Sequence, residues 1–111
     1  MNNILCILLL ALLPLAASAQ SFDHDHKAWA TLLKKHVVLI DNGKSSQARY
    51  AGFAQDRNEL KTYLGTLSKV TQSEFNAWNK AQQMAFLINA YNAFTVEKIL
   101  SRCASSKSMM L

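Results

Sequence analysis

The chain has too few cysteines to rest on disulfides. It carries two, Cys6 and Cys103. Cys6 falls inside an apolar leader, so the mature part keeps one thiol and can close no internal bridge. Glycine is equally scarce: the three glycines stand alone at positions 43, 52 and 65, which leaves no Gly-rich loop to cradle a phosphate. No serine sits in the small-residue setting of a nucleophile elbow. Negative charge is also in short supply. Twelve Lys and Arg face seven Asp and Glu, for a net charge of +5. These cations are scattered, with no dense run and no interleaved aromatics, which predicts an ordinary basic surface and no nucleic-acid partner.

What is present begins with the leader. Met1-Asn2-Asn3 is a short polar start, Ile4 to Leu15 is apolar and interrupted only by Pro14, and Ala17 and Ala19 place small residues at −3 and −1 of a cleavage site. Twelve residues fall short of the roughly twenty that a helix needs to span a bilayer. No cysteine follows the cleavage motif to take a lipid. Residues 1–19 are therefore expected to be a signal peptide removed before Gln20. The mature domain of 92 residues is expected to be periplasmic or secreted, with no stable membrane anchor after cleavage.

The mature part reads as mainly α with a small β element, an α+β domain. His24 to Lys35 predicts a first helix, with Trp29, Leu32, Leu33 and His36 on one face. Asp23 and Asp25 sit at its positive end, Lys34 and Lys35 at its negative end. Val37 to Ile40 is a β-branched run, and Asp41-Asn42-Gly43 is a turn signal, which together predict a hairpin returning through Ala48 to Phe53. Asp56 with Glu59, Thr71 with Glu74, and Asn79 with Gln82 each have capping-box spacing. The first opens a helix with the stripe Leu60, Tyr63, Leu64 and Leu67. The third opens the longest helix, from about Lys80 to about Arg102.

On a wheel of 100° per residue, that last helix is apolar nearly all round. Phe86, Ala93, Leu100, Val96 and Ala85 make one face, and Phe94, Leu87, Ile88 and Ile99 extend it on both flanks. Only Met84, Tyr91, Thr95 and Lys98 suit solvent. Such a helix is expected to be central and packed on several sides by the shorter amphipathic ones. Gln82, Asn89 and Glu97 lie inside the apolar sector and Asn92 at its margin, so these four are the candidate site residues. A buried amide without a partner costs about 1–3 kcal/mol, and Asn89 is therefore expected to be hydrogen-bonded, either to a backbone segment or within a pocket.

Phe22-Asp23-His24 with Trp29, Leu32 to Val37, Tyr50-Ala51-Gly52-Phe53 and the run from Gln82 to Val96 together resemble bacterial members of domain-of-unknown-function family 547. The resemblance covers about residues 22–101 and implies an exported, single-domain setting without an established activity. Family members continue well past the long helix, often through a Pro-containing turn. Here Cys103-Ala104-Ser105-Ser106 follows, and residues 102–111 form a divergent polar tail. The resemblance therefore implies the N-terminal part of a longer domain, with the helix incompletely covered.

Two chemical motifs remain. Asp23-His24-Asp25-His26 offers four metal ligands, but on a helix the two histidines diverge and no second cluster accompanies them, so no metal or other cofactor is expected. Cys103 lies at a helix C-terminus, where the dipole disfavours a thiolate, so it is not expected to be a nucleophile. The expected function is an exported binding or structural module with no identifiable activity. The alternative is a hydrolase-like enzyme whose site requires a further C-terminal half.

Overall fold

The computed structural model describes residues 21–110, apart from the side chains of 104–110; the leader at 1–19 lies outside the described residues. Five helices and one hairpin follow in order: α1 (Lys27–His36), β1 (Val37–Ile40), a 3-10 turn (Asp41–Gly43), β2 (Ser45–Ala48), α2 (Tyr50–Gln55), α3 (Arg57–Ser68), α4 (Gln72–Ala77) and α5 (Lys80–Met110). The architecture is mostly helical with one two-stranded antiparallel sheet, an α+β arrangement.

Helix α1 starts three residues later than its periodicity suggests. The Asp23 carboxylate accepts the amides of Asp25 and Lys27 at 3.0 and 2.9 Å, which holds residues 23–26 in a turn. His26 takes a left-handed conformation, φ 49°, that no helix can include. Trp29, Leu32 and His36 then face inward, 2%, 3% and 8% exposed.

The hairpin forms at the expected place, but its return arm is shorter. Val37 pairs with Ala48 and Ile40 with Ser45, after which Tyr50 to Phe53 coil into α2 rather than continuing the strand. The turn needs three successive positive φ values, 52° at Asp41, 56° at Asn42 and 83° at Gly43; Asn and Gly tolerate these cheaply. Gly52 is required for a different reason. A β-carbon there would come within 2.3 Å of His36 Nδ1, so glycine alone lets α2 close onto the end of α1.

The capping boxes divide. At α5, Gln82 N–H donates to Asn79 Oδ1 at 2.8 Å and Asn79 N–H donates to Gln82 Oε1 at 3.1 Å, the full reciprocal pair. At α4, Glu74 N–H donates to Thr71 Oγ1 at 3.1 Å. At α3, Asp56 makes no cap bond with its side chain. Its carboxylate is instead claimed by Lys35 Nζ at 2.9 Å and His36 Nε2 at 2.7 Å, a stronger charge-assisted option that ties α1 to α3.

The core is one layer of α1, α2 and α3 laid against one side of α5. Trp29, Leu32, Phe53, Leu60, Tyr63, Leu64, Leu67, Ala93, Val96 and Leu100 form it. Phe53 and Leu60 are fully enclosed. Trp29 stacks between Phe53 and Tyr63, with centroids 6.0 and 5.9 Å away. A second aromatic cluster joins Phe22, Phe75, Trp78 and Phe86, with ring centroids between 5.2 and 5.7 Å apart; this pins α4 and the N-terminal segment to the start of α5.

One expectation for α5 needs correction. The helix runs on to Met110 rather than ending near Arg102, since residues 103–110 contain neither Pro nor Gly to stop it. Its covering is incomplete: among the described residues it is packed on one side only. Leu87, Ile88 and Phe94 are 53%, 52% and 45% exposed, alongside Met84 at 59% and Tyr91 at 74%. The layer formed by α1–α3 is one helix deep and reaches only the face of Ala93, Val96 and Leu100. None of the helices searched, all within the described residues, is long and apolar enough to cross a membrane.

Candidate functional site

The four polar residues of α5 are not gathered into one place. Gln82 is spent on the helix cap. Asn89 is half-buried and Asn92 exposed, and neither side chain makes a hydrogen bond among the described residues. The partner expected for Asn89 is thus not found there. Its level of the helix is only partly covered, so it keeps solvent access and escapes the burial cost. Glu97 is engaged: it accepts from Arg57 Nη2 at 2.7 Å and from Arg57 Nε at 3.2 Å. Arg57 Nη2 also reaches Ser101 Oγ at 3.0 Å. The guanidinium beside Glu97 holds its carboxyl below the ordinary value. This pair clamps the start of α3 to α5. Gln82 and Glu97, fifteen residues apart on one helix, are separated by about 22 Å along its axis.

A different constellation lies where the N-terminal segment crosses α3. The turn at Asp23 and the left-handed backbone of His26 direct that imidazole inward, 5% exposed, where its Nδ1 lies 2.7 Å from the Tyr63 hydroxyl. Tyr63 comes from the buried stripe of α3. Burial pushes its phenol up to about 12 and pushes the His26 imidazole below its ordinary value. His26 Nε2 and His24 Nδ1 are both buried without a hydrogen-bond partner. Both rings pack on Phe22, with centroids 5.2 and 5.4 Å away, and His24 meets Trp78 edge-on at 4.6 Å.

Beside this pair opens a cleft of about 660 Å³. Phe22, His26 and Lys27 line one wall, Tyr63, Thr66 and Lys69 the other. Sequence reasoning placed His26 in a metal-like motif and Tyr63 in an apolar stripe, and joined neither to the other. One signal was available: a tyrosine on a buried stripe needs a partner for its hydroxyl.

Metal chemistry has little to build on here. Asp23 is occupied by backbone amides, and among the described residues no group of three His, Cys, Asp or Glu is placed to hold an ion. The imidazole contacts go to Tyr63 and Asp56, while Cys103 is exposed on the C-terminal part of α5. Among the described residues, then, no serine or cysteine is hydrogen-bonded to an imidazole. No protein-family model, no curated protein and no solved structure matches the chain.

Proposed function

We propose that this chain is an exported, non-enzymatic binding module whose working surface is the outer side of α5. Family 547 membership belongs to the same proposal and rests on the resemblance carried above all by the run from Gln82 to Val96. Export rests on the leader.

One observation carries the surface. Met84, Leu87, Ile88, Tyr91 and Phe94 stand 45–74% exposed along one side of a single helix. Their spacing of three and four residues makes a continuous apolar stripe. Scattered exposed apolar residues are ordinary, whereas a contiguous rank of large ones marks an interaction site. Thr95 and Lys98 border the stripe toward the C-terminus, Lys80 and Gln83 toward the N-terminus, giving it a polar edge. A helical or sheet-like apolar face on a partner would cover it.

The test places a photo-crosslinking residue at Tyr91 of the full chain, produced in an exporting bacterial host, with Lys44 on the hairpin turn as the comparison position. A discrete adduct from position 91 and none from position 44 is expected. Equal adducts from both, or none from 91, would reject the surface. Mass measurement of the exported product tests the leader: the mature chain should begin at Gln20.

A further inference from the structure

Lys80, Met84, Leu87, Tyr91, Phe94 and Lys98 follow one another along α5 at intervals of 4, 3, 4, 3 and 4 residues, and all six are exposed. Alternating steps of 4 and 3 keep side chains in one line against a second helix that crosses at about 20°. The spacing favours a helix over a sheet, whose side chains repeat every two residues. Resting on the α5 surface proposed above, we infer that its occupant is an amphipathic helix of another protein, with an apolar seam that ends in carboxylates.

Charge at the two ends of the line selects among the helices that could lie there. Lys80 and Lys98 are separated by about 27 Å along the axis, and Arg102 adds an exposed cation one turn further on. None of the three forms an ion pair among the described residues. The one carboxylate side chain on α5, Glu97, is held by Arg57 of the body. A second copy of α5 is a poor fit. Laid antiparallel with Leu87 facing Tyr91, it sets Lys80 against Lys98 at both ends; laid parallel in register, it sets each lysine against its own counterpart. Like charges across an interface suppress such pairings. An anionic bilayer is a poor fit as well. A helix lying in the membrane interface keeps its cations on the polar face, whereas Lys80 and Lys98 stand in line with the apolar residues. Carboxylates at both ends of a partner's seam answer the two lysines in either orientation, and the apolar residues between them cover Met84, Leu87, Tyr91 and Phe94.

The experiment titrates the full exported chain with two designed helical peptides that carry leucine at the seam positions. One peptide ends its seam in Glu at both ends, the other in Lys. Fluorescence anisotropy should show saturable binding of the Glu-ended peptide, about tenfold tighter than the Lys-ended one, with a gap that narrows as salt is raised. The double variant Lys80→Glu, Lys98→Glu should fold as the parent does, since both positions are exposed, and should reverse the order of the two peptides. Equal binding of both peptides, binding of neither, or an unreversed order in the variant would each overturn the acid-ended helix. So would a Tyr91 crosslink of twice the chain mass, which marks a second copy, or binding to phosphatidylglycerol vesicles that the Glu-ended peptide does not displace. The two claims fail separately. An adduct from position 91 in the exporting host that persists in the double variant keeps the α5 surface and rejects this occupant; no adduct from position 91 rejects the surface itself.

Discussion

Along α5, Ala93, Val96 and Leu100 are sealed against the body at 0%, 9% and 5% exposure, whereas Leu87, Ile88 and Tyr91 on the other side stand at 53%, 52% and 74%. The two sides are alike in apolar character and opposite in circumstance. The inner side is built of smaller residues at the point of contact, which lets α3 approach closely, and its companions Phe53 and Leu60 are fully enclosed. The outer side carries larger residues with nothing described over them. Composition asks for burial on both sides, and a layer one helix deep supplies it on one. Stability should therefore be concentrated on the inner side, and recognition on the outer.

The most severe way to test that contrast is to cut into the inner side. Phe53→Ala removes a fully enclosed ring that stacks with Trp29 and should cost about 3–5 kcal/mol, read as a drop in the urea midpoint. A loss below about 1 kcal/mol would mean that the inner layer is not a packed core. Gly52→Ala follows. Its β-carbon collides with the His36 ring, and the forced shift should cost about 1–3 kcal/mol while breaking the His36–Asp56 contact, which the His36 ring resonances would report.

Acid sharpens the comparison from another direction. Burial holds the His26 imidazole below its ordinary 6.5, so the unfolded chain takes up that proton first. The contribution is complete above about pH 6.5 and declines as pH falls from there toward the lowered value. The carboxylates of Asp23, Asp56 and Glu97 are held below their ordinary values by backbone amides, by Lys35 and His36, and by Arg57 respectively. Their contributions fade later, as pH falls through the carboxylate range. Stability against urea should thus decline in two stages on acidification, and His26→Gln should flatten the first and leave the second. A first stage unchanged in that variant would assign it to another group.

How much of this was legible in the residues differs by element. The caps at Thr71 and Asn79 depend on partners three residues away, and both formed as their spacing indicates. Asp56 has the same spacing, yet Lys35 and His36 reach it from twenty or so positions earlier, a competition invisible in local pattern. The hairpin's first arm was readable from its β-branched run; its return was not, because Tyr50 to Phe53 suit a strand or a buried helix equally well. The same limit applies to the site. Glu97 stood out as a polar residue within an apolar sector, but only the fold supplies its partner, Arg57, forty residues earlier in the chain. The His26–Tyr63 pair is thirty-seven apart and left only the weak trace of a tyrosine on a buried stripe.

Smaller effects complete the comparison. Asn79→Ala removes one half of the cap that starts α5 and should cost about 1 kcal/mol, seen as a fall in Tm of about 4–8 °C for a domain of this size. Leu87→Ser and Phe94→Ser, on the outer side, should each change stability by no more than about 0.5 kcal/mol while reducing the crosslink at Tyr91. If either destabilised as much as Phe53→Ala, the outer side would be part of the core.

The central claim is that the outer side of α5 exists to be covered. Hydroxyl-radical footprinting of Met84 and Tyr91 tests it most directly, comparing the purified chain with the chain in its own compartment. Strong labelling when purified and at least a severalfold loss of labelling in place, with Leu39 at the exposed hairpin equally reactive in both, is the predicted result. Equal labelling of Met84 and Tyr91 in the two settings would contradict it.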